Sequence, residues 1–191
     1  MLKKLVLIVI LLFSFNIVYA EEVTFYKCVD GDTFKIKKDD EIIVVRMLSI
    51  DTPESVKDEG KVEYYGAESS KYTCRELKLA RKLELEYDPK SDKTDKYGRH
   101  LAWVFTDGEL LQEKLVSGGY AKVAYLYADY KYNDLLKEKE TEAKDKGIGV
   151  WNTEEEEKYN NLNEDAGDID VVLISLLFLA ITLLFKFIIR K

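Results

Sequence analysis

Val23-Thr24-Phe25-Tyr26-Lys27-Cys28-Val29, Thr33-Phe34-Lys35-Ile36-Lys37 and Glu41-Ile42-Ile43-Val44-Val45-Arg46-Met47-Leu48 are three short runs rich in β-branched and aromatic residues. Asp30-Gly31 separates the first two and the polar Lys38-Asp39-Asp40 the last two. Runs of this length and composition, cut by turn residues, predict three consecutive antiparallel strands. Leu83 to Tyr87 alternates apolar with polar, and Arg99 to Phe105 supplies a fifth run ending at Thr106-Asp107-Gly108. Three helices are expected among these strands, over Ala67 to Arg81, Glu109 to Val116 and Asn133 to Lys146, the last two stopped by glycine. Strands closing into a small barrel, with a helix between the third and the fourth, suggest an α+β fold: a five-stranded OB-type β-barrel with three helices.

The ends of the chain read differently. A basic start, Met1 to Lys4, and an apolar run from Leu5 to Val18 lead to Val18-Tyr19-Ala20, so residues 1–20 are read as a signal peptide, or else an uncleaved anchor. Ile169 to Ile189 has the length and apolarity to cross a bilayer, and Arg190 and Lys191 follow it, which predicts a transmembrane helix with its basic end in the cytoplasm. Residues 21–152 form the expected domain, and the acidic stretch 153–168, with Glu154 to Glu157, reads as a solvated linker. The expected location is the cell membrane, single-pass, with the domain outside the cytoplasm and no obligate protein partner.

With 36 acidic against 29 basic residues and a net charge of −7, the chain lacks the general basicity of many nucleic-acid binders. Attraction of a polyanion therefore has to be local to a site. The only histidine, His100, cannot build a His-rich metal centre, and Cys28 and Cys74 show no C-x-x-C spacing, so a thiolate metal site is not indicated. Whether the two cysteines pair is open at this level.

Oxygen ligands are another matter. Asp32 follows a glycine turn and Asp51 leaves the third strand, a plausible seat for a hard cation completed by carbonyls and water. Glu54 lies three residues on, and Arg46 and Arg99 offer planar forks that match phosphate oxygens. A phosphodiester gains charge on its way to five-coordination, so a cation, two guanidinium groups and a base for water together suit its cleavage.

Over Val23 to Trp151 the chain resembles the staphylococcal nuclease family. The motifs that carry the resemblance are Val29-Asp30-Gly31-Asp32-Thr33, Arg46 to Glu54, Tyr65-Gly66-Ala67-Glu68, Thr94-Asp95-Lys96-Tyr97-Gly98-Arg99 and Ala121-Lys122-Val123-Ala124-Tyr125. The resemblance implies a Ca²⁺-dependent endonuclease that acts on DNA and RNA, single strands preferred, and leaves 3′-phosphates. It implies Asp32 and Asp51 as carboxylate ligands of Ca²⁺, Thr52 as a carbonyl ligand and Asp30 as an orienter of metal-bound water. Glu54 would be the general base, with Arg46 and Arg99 clamping the phosphate. Lys96, Tyr97, Tyr125 and Tyr127 would contact the terminal phosphate and base. His100 follows Arg99 in a strand and is expected to point away from the site. The alternative reading is a membrane-anchored OB module that binds oligonucleotides without cutting them.

Overall fold

A computed structural model of the chain describes residues 20–55 and 62–163. Strands β1 (Glu21–Cys28), β2 (Thr33–Lys38) and β3 (Glu41–Met47) form the expected meander. In β2, Phe34 and Ile36 are fully buried while Lys35 and Lys37 face outward, the period of two that the sequence carries. Asp39 and Asp40 both take positive φ, 47° and 66°, in a two-residue turn whose twist matches the strands it joins. Strand β4 (Ile50–Asp51) follows β3, helix α1 (Gly66–Leu79) comes next, and β5 (Leu83–Glu86) and β6 (His100–Thr106) complete the main sheet.

The sheet runs β3-β2-β1-β5-β6, and a parallel pairing of β6 with β3, Val45 opposite His100 and Met47 opposite Ala102, closes it into a five-stranded barrel. Closure leaves no long free edge along these strands. A short hairpin strand, β7 (Glu109–Leu110), precedes α2 (Leu111–Ser117). Then come β8 (Lys122–Val123), paired antiparallel with β4, α3 (Asn133–Lys146) and a 3₁₀ turn (Gly149–Trp151). The core gathers Phe34, Val45, Leu85 and Trp103 from the barrel with Leu111, Leu115 and Leu136 from α2 and α3. Gln112 is buried among them and bridges β6, donating to the Ala102 carbonyl at 3.0 Å and accepting from the Val104 N–H at 3.1 Å.

Three expectations are corrected. Glu109 and Leu110 are strand, because they pair with Thr106 and Phe105, so α2 starts two residues later than the sequence suggested. Helix α1 ends at Leu79, where Ala80 turns extended. Residues 153–163 are helical, so the first part of the stretch read as linker is ordered. The Asn152 side chain caps this helix by accepting from the Glu155 N–H at 3.2 Å, and acidic residues in a first turn favour the helix dipole. Tyr159 ties the helix back to the domain, its hydroxyl donating to the Val62 carbonyl at 3.1 Å and its ring 5.7 Å from that of Tyr64.

Cys28 and Cys74 are joined as a disulfide, Cα to Cα 5.8 Å, linking the end of β1 to the middle of α1. The expected signal segment 1–20, save its last residue, and the expected span 169–189 lie outside the described residues; among those described, no helix is long and apolar enough to cross a membrane.

Candidate active site

The turn between β1 and β2 carries Asp30 and Asp32, and its shape is over-determined. The Val29 and Asp30 N–H groups both donate to the Thr33 carbonyl, at 3.1 and 2.8 Å. A Cβ on Gly31 would stand 2.6 Å from Thr52 Oγ1 and 2.8 Å from Thr52 Cβ, so only glycine lets this turn meet the segment after β4. From the other side, Thr73 on α1 donates to the Gly31 carbonyl at 2.6 Å, one residue from the disulfide. Asp32 is itself buried: Oδ2 accepts from the Thr52 N–H at 3.1 Å and Oδ1 from the Thr33 hydroxyl at 2.8 Å.

Arg46, near the end of β3, draws the two halves together. Its NH2 lies 3.0 Å from Asp32 Oδ2 and 2.9 Å from Asp51 Oδ1, and its NH1 donates to the Ile50 and Met47 carbonyls at 2.9 and 3.2 Å. A guanidinium fixed at four points is an oriented charge, and 8% exposure shields it from bulk water. The Tyr125 ring lies 5.4 Å from Arg46 Cζ, with φ at Tyr125 held at a left-handed 56° just beyond β8. Burial pushes the Asp51 carboxyl up, against the pull of Arg46, while Asp32 adds to the rise and the Tyr125 hydroxyl opposes it. The Asp51 charge, followed by burial, in turn raises the Tyr125 phenol.

Glu54 stands beside this pair on a braced backbone, its N–H donating to Glu63 Oε2 at 3.0 Å. Partial burial, then the hydrogen bond and charge of Asp30, then the charges of Asp32 and Glu63, push its carboxyl up to about 7. Ser55 donates to Asp30 Oδ1 at 2.5 Å, which fixes the neighbouring carboxylate. Sequence reasoning passed over Ser55, Thr73 and the role of Glu63. The hydrogen bonds between Glu63 and the Glu54 backbone show that Glu63 shapes the turn.

The Thr94 to Arg99 motif forms a separate cluster. Asp95 Oδ1 accepts from the Tyr97 and Arg99 N–H groups at 2.9 and 3.0 Å, and Arg99 Nε donates to Asp95 Oδ2 at 2.7 Å. Both Arg99 and Lys96 lie over the exposed Tyr97 ring, 5.4 and 4.9 Å from its centre. Among the described residues no hydrogen bond or ion pair joins Arg99 to Asp32, Asp51 or Glu54. Leu101 pairs with Arg46, so alternation puts Arg99 on the face that Arg46 shares and His100 on the other. There His100 Nδ1 is 2.8 Å from the Tyr87 hydroxyl, and burial, then the Lys93 and Lys38 charges, lower its pKa. Tyr127 is 81% exposed, its ring 6.2 Å from that of Tyr125.

Among the described residues no three acidic side chains converge closely enough to make a metal cage by themselves. The donor set nevertheless fits an oxygen-preferring cation that shares its shell with water. Burial, and after it the neighbouring carboxylates of Asp30, Asp32 and Glu63, raise the proton affinity of Glu54, and the Thr52 hydroxyl is buried with no hydrogen-bond partner among the described residues beside Asp32. Asp32, Asp51 and the Thr52 carbonyl are the groups that would hold such an ion.

Residues 44–153 match the family described as "Staphylococcal nuclease homologue". The chain belongs to the staphylococcal nuclease family. Similar members include the SPbeta prophage-derived endonuclease YokF of Bacillus subtilis, 45% identical over 131 residues, which are 68% of this chain and 44% of that protein. Endonuclease YncB of the same organism is 43% identical over 130 residues, 68% of this chain and 61% of that protein. The thermonuclease of Staphylococcus hyicus is 38% identical over 125 residues, 65% of this chain and 72% of that protein. The chain thus spans roughly half the length of the two Bacillus relatives. The closed barrel with its helices is consistent with the OB fold of this family.

Proposed function

We propose that this member of the family is a Ca²⁺-dependent endonuclease that hydrolyses phosphodiester bonds of DNA and RNA with little sequence specificity and leaves 3′-phosphates. The observation that carries the reading is the meeting of Asp32, Asp51 and Arg46 beside a Glu54 whose proton affinity lies near neutral pH. A general base works best with its pKa close to the working pH, so Glu54 is suited to take a proton from the attacking water. Arg46 presents a fixed positive charge to the phosphate. Arg99, paired with Asp95, would exchange that carboxylate for a phosphate oxygen. Tyr97, Tyr125 and Tyr127 offer exposed rings on which any base can stack, and Lys96 offers a charge to a terminal phosphate. Bound Ca²⁺ would supply charge neutralisation of the phosphodiester, held by Asp32, Asp51 and Thr52, with Asp30 orienting a water. Display on the outer face of the membrane, through 169–189, is part of the same proposal and rests on the sequence pattern.

Digestion of single-stranded DNA by the full chain, with Ca²⁺ and with chelator, beside Glu54→Gln and Arg99→Ala, tests this. The expected result is Ca²⁺-dependent cutting that falls about 10²- to 10⁴-fold in Glu54→Gln and about 10²- to 10³-fold in Arg99→Ala. Tight binding without cutting, untouched by either change, would instead make the chain an oligonucleotide-binding module.

A further inference from the structure

Helix α1 carries Lys71, Arg75 and Lys78 at spacings of four and three residues, so they stand in one exposed row. An open groove of about 580 Å³ lies along this row, lined by all three together with Ala67, Cys74 and, from outside the helix, Ser55. None of its described lining residues is acidic, in a chain with 36 acidic residues against 29 basic ones. Lys71 and Lys78 make no ion pair with any described residue, and Arg75 reaches only the adjacent Glu76, at 3.3 Å, with its guanidinium over the Tyr72 ring. Glu76 is also taken by Lys114 at 3.2 Å, and Glu68 on the same helix does not line the groove. The groove adjoins the candidate active site at Ser55, which follows Glu54 in sequence and donates to Asp30 Oδ1.

We propose that this groove is the track for the nucleic-acid strand beyond the scissile phosphate, with Lys71, Arg75 and Lys78 each facing a backbone phosphate. The proposal rests on the nuclease reading of the site. Seven residues of helix rise about 10 Å, the length of about three stacked nucleotides. A positive groove that follows the backbone without reading bases gives affinity that grows with strand length and falls with salt. The stripe thus supplies, in a chain of net negative charge, the local field that a polyanion needs to stay bound between cuts.

The test uses the full chain and the variant K71Q/R75Q/K78Q, with binding of a fluorescent oligothymidylate of about twelve nucleotides measured in chelator across a salt series. Loss of three phosphate contacts should weaken binding about tenfold and flatten the slope of log K against log salt by about 2. Cleavage of a thymidine dinucleotide in Ca²⁺, too short to reach the groove, should keep the parent rate. The charge-preserving variant K71R/R75K/K78R should recover the parent slope. An unchanged slope in the glutamine variant overturns the proposal, as does an equal loss on the dinucleotide, which would place the effect in the site. Loss of binding to phosphatidylserine vesicles with an unchanged oligonucleotide slope also overturns it and gives the stripe to an anionic membrane. A parent that binds the oligonucleotide but cuts neither substrate would defeat the nuclease reading alone, because the salt slope is read without cleavage.

Discussion

At the scale of single residues the site is built by compensation. Asp32 and Asp51 would repel one another, and Arg46 offsets that repulsion with one NH2 group shared between them. Removing it leaves carboxylates facing each other, one buried and one half exposed. Arg46→Ala should therefore cost about 3 kcal/mol in metal-free protein, the low end for a broken buried ion pair because water reaches Asp51. Ca²⁺ should restore part of the loss by neutralising the same groups, so urea midpoints of parent and variant should converge as the ion is added. A gap that stays constant with Ca²⁺ would mean that no cation is held by these carboxylates. Gly31 compensates sterically: Gly31→Ala places a methyl group against Thr52, and prying the turn from the β4 exit should cost about 1–3 kcal/mol. The same displacement should weaken the affinity for Ca²⁺ in a direct titration, whereas unchanged affinity would show that the turn can move without disturbing the ligands. The aspartates and the arginine were legible in the sequence because their residue types declare their chemistry. Ser55 and Thr73 were not, since a hydroxyl acquires a role only from what folding puts within reach.

Among the elements, α1 is the brace of the site. It touches the Asp30 to Asp32 turn through Thr73, holds β1 through the disulfide, and its first residue, Gly66, packs so closely on the Glu54 carbonyl that a Cβ there would collide with it. The cross-link closes a loop with a sequence separation of 46, for which the loss of chain entropy in the unfolded state comes to about 4 kcal/mol. Cys28→Ser/Cys74→Ser should lower stability by about 2–4 kcal/mol, and dithiothreitol should lower the parent to the same level while leaving the variant alone. If the reductant lowers both equally, the bond is not the source. The long strands and α3 were legible because apolar periodicity and turn residues agree along them. Two-residue strands were not: Ile50–Asp51 and Lys122–Val123 carry no period, and only their pairing across the fold defines them. The helix at 153–163 was hidden by its acids, which resemble a solvated tail until the Asn152 cap and the Tyr64–Tyr159 contact are seen.

For the whole molecule, acid tolerance should be set away from the site, at Asp88. Burial alone would raise this carboxyl, but the Lys131 and Lys90 N–H groups and the Trp103 indole all donate to it and hold it below its ordinary range. A depressed pKa contributes stability that is complete above the unfolded value, about 3.9, and is lost as pH falls through the lower folded one. Asp88→Asn should therefore be less stable than the parent at neutral pH and lose less on acidification below about pH 4, measured by urea midpoints across the acid limb. Parallel curves for the two proteins would assign the acid limb to other groups. The closed barrel could be anticipated from five strand runs in order, whereas the parallel join of β3 to β6 that seals it depends on residues more than fifty positions apart and leaves no mark on either run.

An agent that cuts nucleic acid endangers the cell that makes it. The bond between Cys28 and Cys74 forms and persists where thiols are oxidised and is kept open in a reducing cytosol. If the domain is displayed outside the cell as proposed, a newly made chain beside its maker's own genome would lack the tie from β1 to α1, with the Thr73 bond to the Gly31 carbonyl left to hold the carboxylate turn, and would gain that tie on export. On the proposed function, the cross-link acts as a safety catch, with full strength arriving only where the surrounding nucleic acid is foreign or spent.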